Sequence, residues 1–389
     1  MNAMHLTHTP HVPHASHASH SKGLFGRLLV ALPLALSLCV GTWAAPPSAK
    51  GKAPADSAAA RLADHEARRT LFRQMCSHPT SSQREALEIL AKGEGQTLGE
   101  EFCADVEYQY FGSQSKPRER DFLGFKPGAD IRDISVFQYF TKLKSFPVDP
   151  DVKDLSPLIN FKSLTSLAIV DNKNLLDIRV LSELKELKNL DLRNTQVLSL
   201  EPLAGLSKLE TLNLHVEPQT GLPKRTGLDA LRHLKNLKDL DIDSAEALDD
   251  QIKDLQQLQV LTIYGPVRDV CNLKNLKQLY ILYLINAGIK DISCLKEFKE
   301  LADVNLRGNP IKSVASWAAL PKLRNLSIDN TLVEDLSAFA GNRNMSIVEA
   351  RGTPLRWCSP KSAEDIKKGV SCLNPDGSEK PWWKRLLRM

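Results

Sequence analysis

The sequence of 389 residues has little net charge, no apolar run long enough to cross a membrane comfortably, and no common catalytic motif. A net charge of +5 is small for this length and argues against nucleic acid as the main partner. The apolar run of residues 28–40 is shorter than the roughly 20 residues that a spanning helix needs. The GxSxG, HExxH, P-loop and dinucleotide fingerprints are all missing, so we expect no enzyme activity and no cofactor.

The run of residues 28–40 has instead the layout of a secretory signal peptide. Lys22 and Arg27 precede it, small residues follow it, and no acidic residue lies in 1–44. We therefore predict a signal peptide over 1–44 and export of the mature chain to the periplasm or outside the cell. Residues 45–58 are rich in Pro, Ala and Lys and are predicted to be a flexible linker.

A leucine pattern that recurs ten times dominates the rest of the chain. Each copy is close to LxxLxxLxLxxNxI, and successive copies follow at steps of 21 to 28 residues. Internal repeats of this length and pattern are typical of leucine-rich repeats. The two apolar positions of the predicted strand in each copy are Phe146/Val148, Leu167/Ile169, Leu190/Leu192, Leu212/Leu214, Leu240/Ile242, Leu261/Ile263, Leu282/Leu284, Val304/Leu306, Leu326/Ile328 and Val348/Ala350.

One such copy cannot bury its apolar side alone, whereas stacked copies bury it for each other. We therefore predict an α/β solenoid over residues 129–356, in which ten short strands form a parallel concave sheet. The asparagine position of the motif is expected to satisfy backbone groups of adjacent turns, which would otherwise be buried without partners. That position carries Asn172, Thr195, Asn309, Thr331 and Thr353.

Three segments on the convex side, "IRDISVFQYF", "VKDLSPLINF" and "IKDISCLKEF", resemble the internalin-like type of bacterial leucine-rich repeat. The resemblance covers about residues 129–356. It implies a shallow curved solenoid in an exported bacterial protein, and it brings no catalytic residues. Threonine and alanine at many of the asparagine positions of the motif, which we call ladder positions, depart from the family's pattern. The 28-residue fourth copy also departs from it.

The two ends of such an array would expose core, so we expect a cap at each end. A helical N-terminal cap is predicted over residues 59–128, where the S-x-x-E at Ser82 and the T-x-x-E at Thr97 match the capping-box pattern. Residues 357–376 are predicted to form a short helical C-terminal cap. The basic aromatic tail, residues 377–389, is compatible with contact at a membrane interface or with packing on the last coil, and its shortness disfavours the membrane.

Six cysteines lie outside the predicted signal peptide. An even number in an exported chain indicates disulfides, and the absence of CxxC or Cys/His spacing argues against a metal site. The two terminal pairs are interpreted as staples of the caps, and the middle pair as a clamp between the sixth and seventh coils, because repeat register places its members within reach of each other. Two free buried thiols are the alternative for the middle pair. The three predicted pairs are Cys76/Cys103, Cys271/Cys294 and Cys358/Cys372.

The residues beside the inward strand positions face the concave side, where a partner would bind. On the sixth and seventh strands these residues are large and apolar or aromatic, and exposed patches of that kind mark binding sites. A covering insertion is the alternative for this patch. The preceding strand carries three aspartates. They are interpreted as a solvated acidic face, as a site for a basic partner or as a calcium site. The predicted binding residues are Val260, Tyr264, Ile281, Tyr283 and Ile285, with Asp239, Asp241 and Asp243.

The sequence thus predicts an exported, non-enzymatic protein that binds a macromolecule, in our interpretation a protein, on its concave face. A structural protein of the cell envelope without a discrete partner site is the alternative. A concave face that tolerates substitution would favour that alternative.

Overall fold

The computed structural model describes residues 58–113, 116–117, 130–216, 225–243, 251–342 and 344–355. The predicted signal peptide, C-terminal cap, tail and Cys358/Cys372 pair lie outside these residues, as does the predicted linker apart from Ala58. Within the described residues, one cluster of buried apolar side chains extends from Phe72 in the first helix to Leu355 after the last strand. The repeats therefore share one continuous core.

Three helices precede the repeats: α1 Ala58–Ser77, α2 Ser81–Gly93 and α3 Glu100–Phe111. A small antiparallel hairpin follows, formed by β1 Gly112–Ser113 and β2 Lys116–Pro117. Phe72 of α1 and Tyr110 and Phe111 of α3 place their rings 4.4–5.9 Å from each other or from the ring of Phe140 in the first coil. The helices thus cover the apolar end of the array, which confirms the predicted helical N-terminal cap.

The predicted starts of two cap helices were wrong. The hydroxyl of Thr80 accepts a hydrogen bond from the Gln83 N–H, and the Gln83 side chain accepts one from the Thr80 N–H, so the capping box lies two residues before Ser82. Helix α3 begins after Gly99 without a side-chain cap, so Thr97 does not cap it.

Ten short strands form one parallel sheet in which each strand pairs with its sequence neighbours. This arrangement confirms the predicted solenoid, because each strand lies beside the next strand of the sequence and parallel to it. The strands are β3 Ser145–Val148, β4 Ser166–Ile169, β5 Asn189–Asp191, β6 Thr211–Asn213, β7 Asp239–Asp243, β8 Val260–Tyr264, β9 Ile281–Ile285, β10 Asp303–Asn305, β11 Asn325–Ser327 and β12 Ile347–Glu349.

The interior of each coil is filled by the leucines of the repeat. All twenty predicted inward positions are buried, and equivalent residues stand side by side, as Leu240, Leu261 and Leu282 do across β7, β8 and β9. Short 3₁₀ segments such as Arg179–Glu183 return the chain along the convex side. Their leucines, including Leu181, close the interior from the opposite wall.

A left-handed residue turns the chain after most strands. This position needs a positive φ, which Asn, Asp and Gly adopt most readily. The N–H of the turning residue donates to the carbonyl of the next coil, as from Asn194 to His215 at 3.0 Å and from Gly308 to Asp329 at 2.8 Å. The turning residues are Asp171, Asn194, Gly265, Asn286, Gly308, Asn330 and Gly352.

The predicted ladder residues satisfy backbone groups inside the coils. The buried Asn309 amide donates to the carbonyls of Leu284 and Leu306 at 2.6 and 2.8 Å and accepts from the Ile289 N–H at 3.0 Å. At the equivalent position of a later coil, the Thr331 hydroxyl donates to the Ile328 carbonyl at 2.8 Å and lies 3.5 Å from the hydroxyl of Thr353. Side chains at this position therefore contribute to stability and are not available to a ligand.

Two of the three predicted disulfides lie within the described residues, and both form. Cys76 and Cys103 join α1 to α3 with 6.0 Å between their Cα atoms. Cys271 and Cys294 join the convex segments of successive coils at 5.6 Å. The second bond braces the two coils that carry β8 and β9.

Candidate functional site

The concave side of the sheet changes character at β8 and β9. On the other strands from β5 to β12, the middle outward position is polar or charged: Asp191, Asn213, Asp241, Asn305, Ser327 and Glu349. On β8 and β9 the outward residues are larger and mostly apolar. We name the five residues Val260, Tyr264, Ile281, Tyr283 and Ile285 the apolar patch.

The patch is contiguous because the two strands pair in register. Val260 lies beside Ile281, and Tyr264 lies beside Ile285. All five side chains are half-buried, whereas Thr262, between Val260 and Tyr264, is buried at 8% exposure. The predicted binding residues of these strands are thus brought together on one face.

Tyr264 is held by a neighbour two strands away. Its ring stacks on the imidazole of His215, with 3.8 Å between the ring centroids and 28° between their planes. Since Asp243 of β7 lies between the two in the sheet, the longer side chains lean towards each other above the shorter aspartate. Burial and the negative charge of Asp241 raise the pKa of Tyr264, so its hydroxyl stays a hydrogen-bond donor at neutral pH.

Tyr283 occupies the middle of the patch on β9. Burial, together with the nearby carboxylate of Asp303, raises its pKa. A neutral phenol with an apolar ring and a polar tip suits a protein contact, since tyrosine is enriched among residues that dominate binding energy.

The acidic strand β7 places Asp239, Asp241 and Asp243 on the same face as the patch. Asp243 is neutralised by Arg225, whose Nε lies 3.5 Å from the carboxylate. The same guanidinium donates to the carbonyls of Val197 and Leu214 at 2.8 and 2.6 Å. Arg225 belongs to the extra length of the fourth copy, which therefore reaches the edge of the acidic strand.

Asp191, two strands before Asp241, is also neutralised. Its carboxylate accepts hydrogen bonds of 2.7–3.1 Å from the side chain of Arg193. Arg193 bonds to Asp191, and His215 stacks on Tyr264. The partner of Asp243 was missed because Arg225 lies in the insertion, where repeat register gives no position.

Asp239 and Asp241 differ from these two aspartates. Within the described part of the chain, neither side chain has a hydrogen bond or an ion pair, and Oδ1 of Asp241 is buried. Burial and the neighbouring Asp239 raise the pKa of Asp241 from its ordinary 3.8 to about 6. Burial also raises the pKa of Asp239. A cation placed here by a partner would offset the burial of both carboxylates.

The described residues contain no group of three or more His, Cys, Asp or Glu arranged to hold a metal ion. None of the described helices is both long and apolar enough to cross a membrane.

Solved structures and a protein-family model share the repeat of this chain, whereas curated proteins do not match it. No curated protein matches the chain. Among solved structures, an internalin (InlF) of Listeria monocytogenes shares 20% identity over 73% of this chain and 78% of its own, with a TM-score of 0.54. This match shows the fold and confirms, at that level, the predicted likeness to internalin-type repeats.

Two further solved structures are similar at lower TM-scores. The leucine-rich repeat ectodomain of the receptor kinase GASSHO1/SCHENGEN3 from Arabidopsis thaliana, solved in complex with CASPARIAN STRIP INTEGRITY FACTOR 2, shares 16% identity over 64% of this chain and 32% of its own, with a TM-score of 0.45. A leucine-rich repeat protein of Leptospira interrogans shares 17% identity over 65% of this chain and 76% of its own, with a TM-score of 0.42. The family model of the leucine-rich repeat region matches residues 142–348, which is more than half of the sequence. The chain therefore belongs to the leucine-rich repeat family.

Proposed function

We propose that this chain is an exported, non-enzymatic leucine-rich repeat protein that binds a protein partner on the concave side of β8 and β9. Leucine-rich repeats commonly serve as scaffolds for protein–protein interaction, and their concave sheets suit extended partners. The observation that carries the proposal is the apolar patch, because its five half-buried aromatic and aliphatic side chains lie together on two paired strands, whereas the middle outward residues of the other strands from β5 to β12 are polar.

The position of the patch supports this role. The Cys271–Cys294 bond braces the two coils that carry it, and the His215–Tyr264 stack fixes one of its rings. A surface ordered before binding loses less conformational entropy when a partner arrives. Export is supported by the sequence of residues 1–44 and by the disulfides, which persist in oxidising compartments.

The test is a crosslinking pull-down from envelope and host-cell extracts with the mature chain as bait. The variant Tyr264→Asp/Tyr283→Asp places charge in the patch, and Tyr280→Asp is the matched control. Tyr280 directly precedes β9 and is 43% exposed, but it lies outside the patch. Melting temperature and circular dichroism establish that both variants are folded.

We expect a protein that is captured by the parent and by Tyr280→Asp but lost with the patch variant. Equal capture by all three folded baits would remove the patch as the binding site. The structural envelope role would then be favoured.

A further inference from the structure

The apolar patch borders two carboxylates that form no ion pair within the described residues. Of the four aspartates on β5 and β7, Asp191 is paired with Arg193 and Asp243 with Arg225. Asp239 and Asp241 are left over, directly beside Val260 and Thr262 of β8. The surface therefore complements a segment that carries apolar or aromatic side chains next to positive charge.

The chain contains a segment of this chemistry outside the described residues. The last ten residues, "KPWWKRLLRM", contain four basic residues, two tryptophans and two leucines, and no acidic residue. Tryptophan and arginine are both enriched in the central contacts of protein interfaces. These residues, 380–389, make up most of the basic aromatic tail 377–389, and we name them the basic tail.

The tail is long enough to reach the patch. Trp382 follows Leu355, the last described residue, by 27 positions, which corresponds to about 90 Å of extended chain. Three strand spacings separate β12 from β9, or about 14 Å. If the predicted Cys358–Cys372 bond removes 14 of the 27 positions, the remaining 13 still span about 43 Å.

We propose that the basic tail binds the concave surface, with its indole rings on the apolar patch and its basic side chains beside Asp239 and Asp241. The inference uses the surface assigned above to an external partner but does not depend on that partner. The tail then competes with the partner for the patch of its own chain.

The experiment uses the full mature chain with a disabled tail, in which Trp382, Trp383, Lys384 and Arg385 are replaced by serine. A synthetic fluorescent peptide of residues 378–389 is added, and its anisotropy is recorded. We expect saturable binding that weakens as salt rises from about 50 to about 500 mM, because the charges are partly exposed. The chain with an intact tail should bind the peptide at least about tenfold more weakly, because its own tail competes.

Two surface variants of the tail-disabled chain locate the contact. Asp239→Asn/Asp241→Asn and Tyr264→Asp/Tyr283→Asp should each weaken peptide binding by at least about tenfold, whereas Tyr280→Asp should not. Both surface variants are checked for folding by circular dichroism. A peptide in which the basic residues are replaced by glutamate should not bind.

The proposal is overturned if the tail-disabled chain does not bind the peptide, or if the surface variants bind it as well as the parent does. Binding of the peptide to anionic lipid vesicles but not to the protein would assign the tail to a membrane and would also overturn it. The pull-down separates the two proposals. If the patch captures a protein but does not bind the tail peptide, the function assigned to the patch stands and this inference fails.

Discussion

Asp241 carries a partly buried carboxylate that lowers the stability of the free protein when it is charged. Its pKa of about 6 means that the folded state holds the proton more tightly than the unfolded chain, whose carboxylate titrates near 3.8. The charge on Asp241 therefore lowers stability at pH values above about 6, and this cost disappears as the pH falls below the unfolded value.

The substitution Asp241→Asn in the tail-disabled chain should remove that cost. We expect a gain of about 1 to 2 kcal/mol in unfolding free energy above pH 6, which is less than the full pKa shift implies because the side chain is partly exposed. The gain should shrink to near zero below the unfolded pKa. Urea unfolding at a series of pH values measures it.

Asp191→Asn is the matched control for this titration. Its carboxylate is already paired with Arg193, so its replacement should not stabilise the protein at any pH. Equal gains from the two substitutions would show that the gain does not arise from the burial of Asp241.

Gly308 shows how the turn after each strand constrains the sequence. Its φ is +73°, and a Cβ there would clash with Oδ1 of Asn286, which belongs to the preceding coil. Gly308→Ala should therefore lose more than the roughly 1–2 kcal/mol that a left-handed alanine costs by itself. Gly288→Ala is the control, because its φ is +70° but no atom lies within 4 Å of the new Cβ.

Urea unfolding of the two glycine variants measures both costs. If Gly308→Ala and Gly288→Ala lose the same free energy, contact with Asn286 adds nothing beyond the backbone strain.

The inward and outward positions of each strand could be predicted residue by residue, because a period of two assigns faces once the repeat is aligned. The electrostatic partners of the outward aspartates could not be predicted in this way. The cation beside Asp243 is Arg225, which comes from an insertion that the repeat does not describe.

At the scale of elements, the Cys271–Cys294 bond joins two coils that also share the full five-residue pairing of β8 and β9. Replacing both cysteines by serine should destabilise the chain by about 2 to 4 kcal/mol, because the unfolded state gains the freedom that the bond removes. Thermal unfolding without reductant measures the change. Under reductant the parent should lose the advantage that this bond gives it, and a difference that persists there would point to packing of the cysteines.

The helices of the N-terminal cap show where sequence patterns are ambiguous. Both Thr80 with Gln83 and Ser82 with Glu85 match the capping box, and the first pair forms it. Tertiary contacts accompany this choice, since the Ser82 hydroxyl bonds to Asp133 at 2.6 Å in the first coil. A local pattern predicts that a helix exists more reliably than it predicts the first residue.

At the scale of the whole molecule, the repeats are linked only through neighbours, so stability at one end reaches the other end through every interface between coils. The cap contributes a substantial part of the first interface. Phe140 is 5% exposed, and its ring centroid lies 4.4 Å from that of Tyr110 and 5.4 Å from that of Phe72. Removing the ring of Phe140 therefore tests how far a loss of stability at the capped end spreads along the array.

Phe140→Ala should cost about 3 to 5 kcal/mol, since it leaves a cavity among aromatic rings. Trp317 is fully buried near the other end of the described array and reports on that end when the other three tryptophans of the mature chain, Trp357, Trp382 and Trp383, are replaced by phenylalanine. Because every coil covers the apolar face of the next, we expect circular dichroism and Trp317 fluorescence to show one common transition, shifted to lower urea. An early circular dichroism change with an unshifted Trp317 transition would mean that the capped end unfolds alone. In that case the concave surface at β8 and β9 would keep its shape without help from the cap, and binding at the patch should survive the substitution.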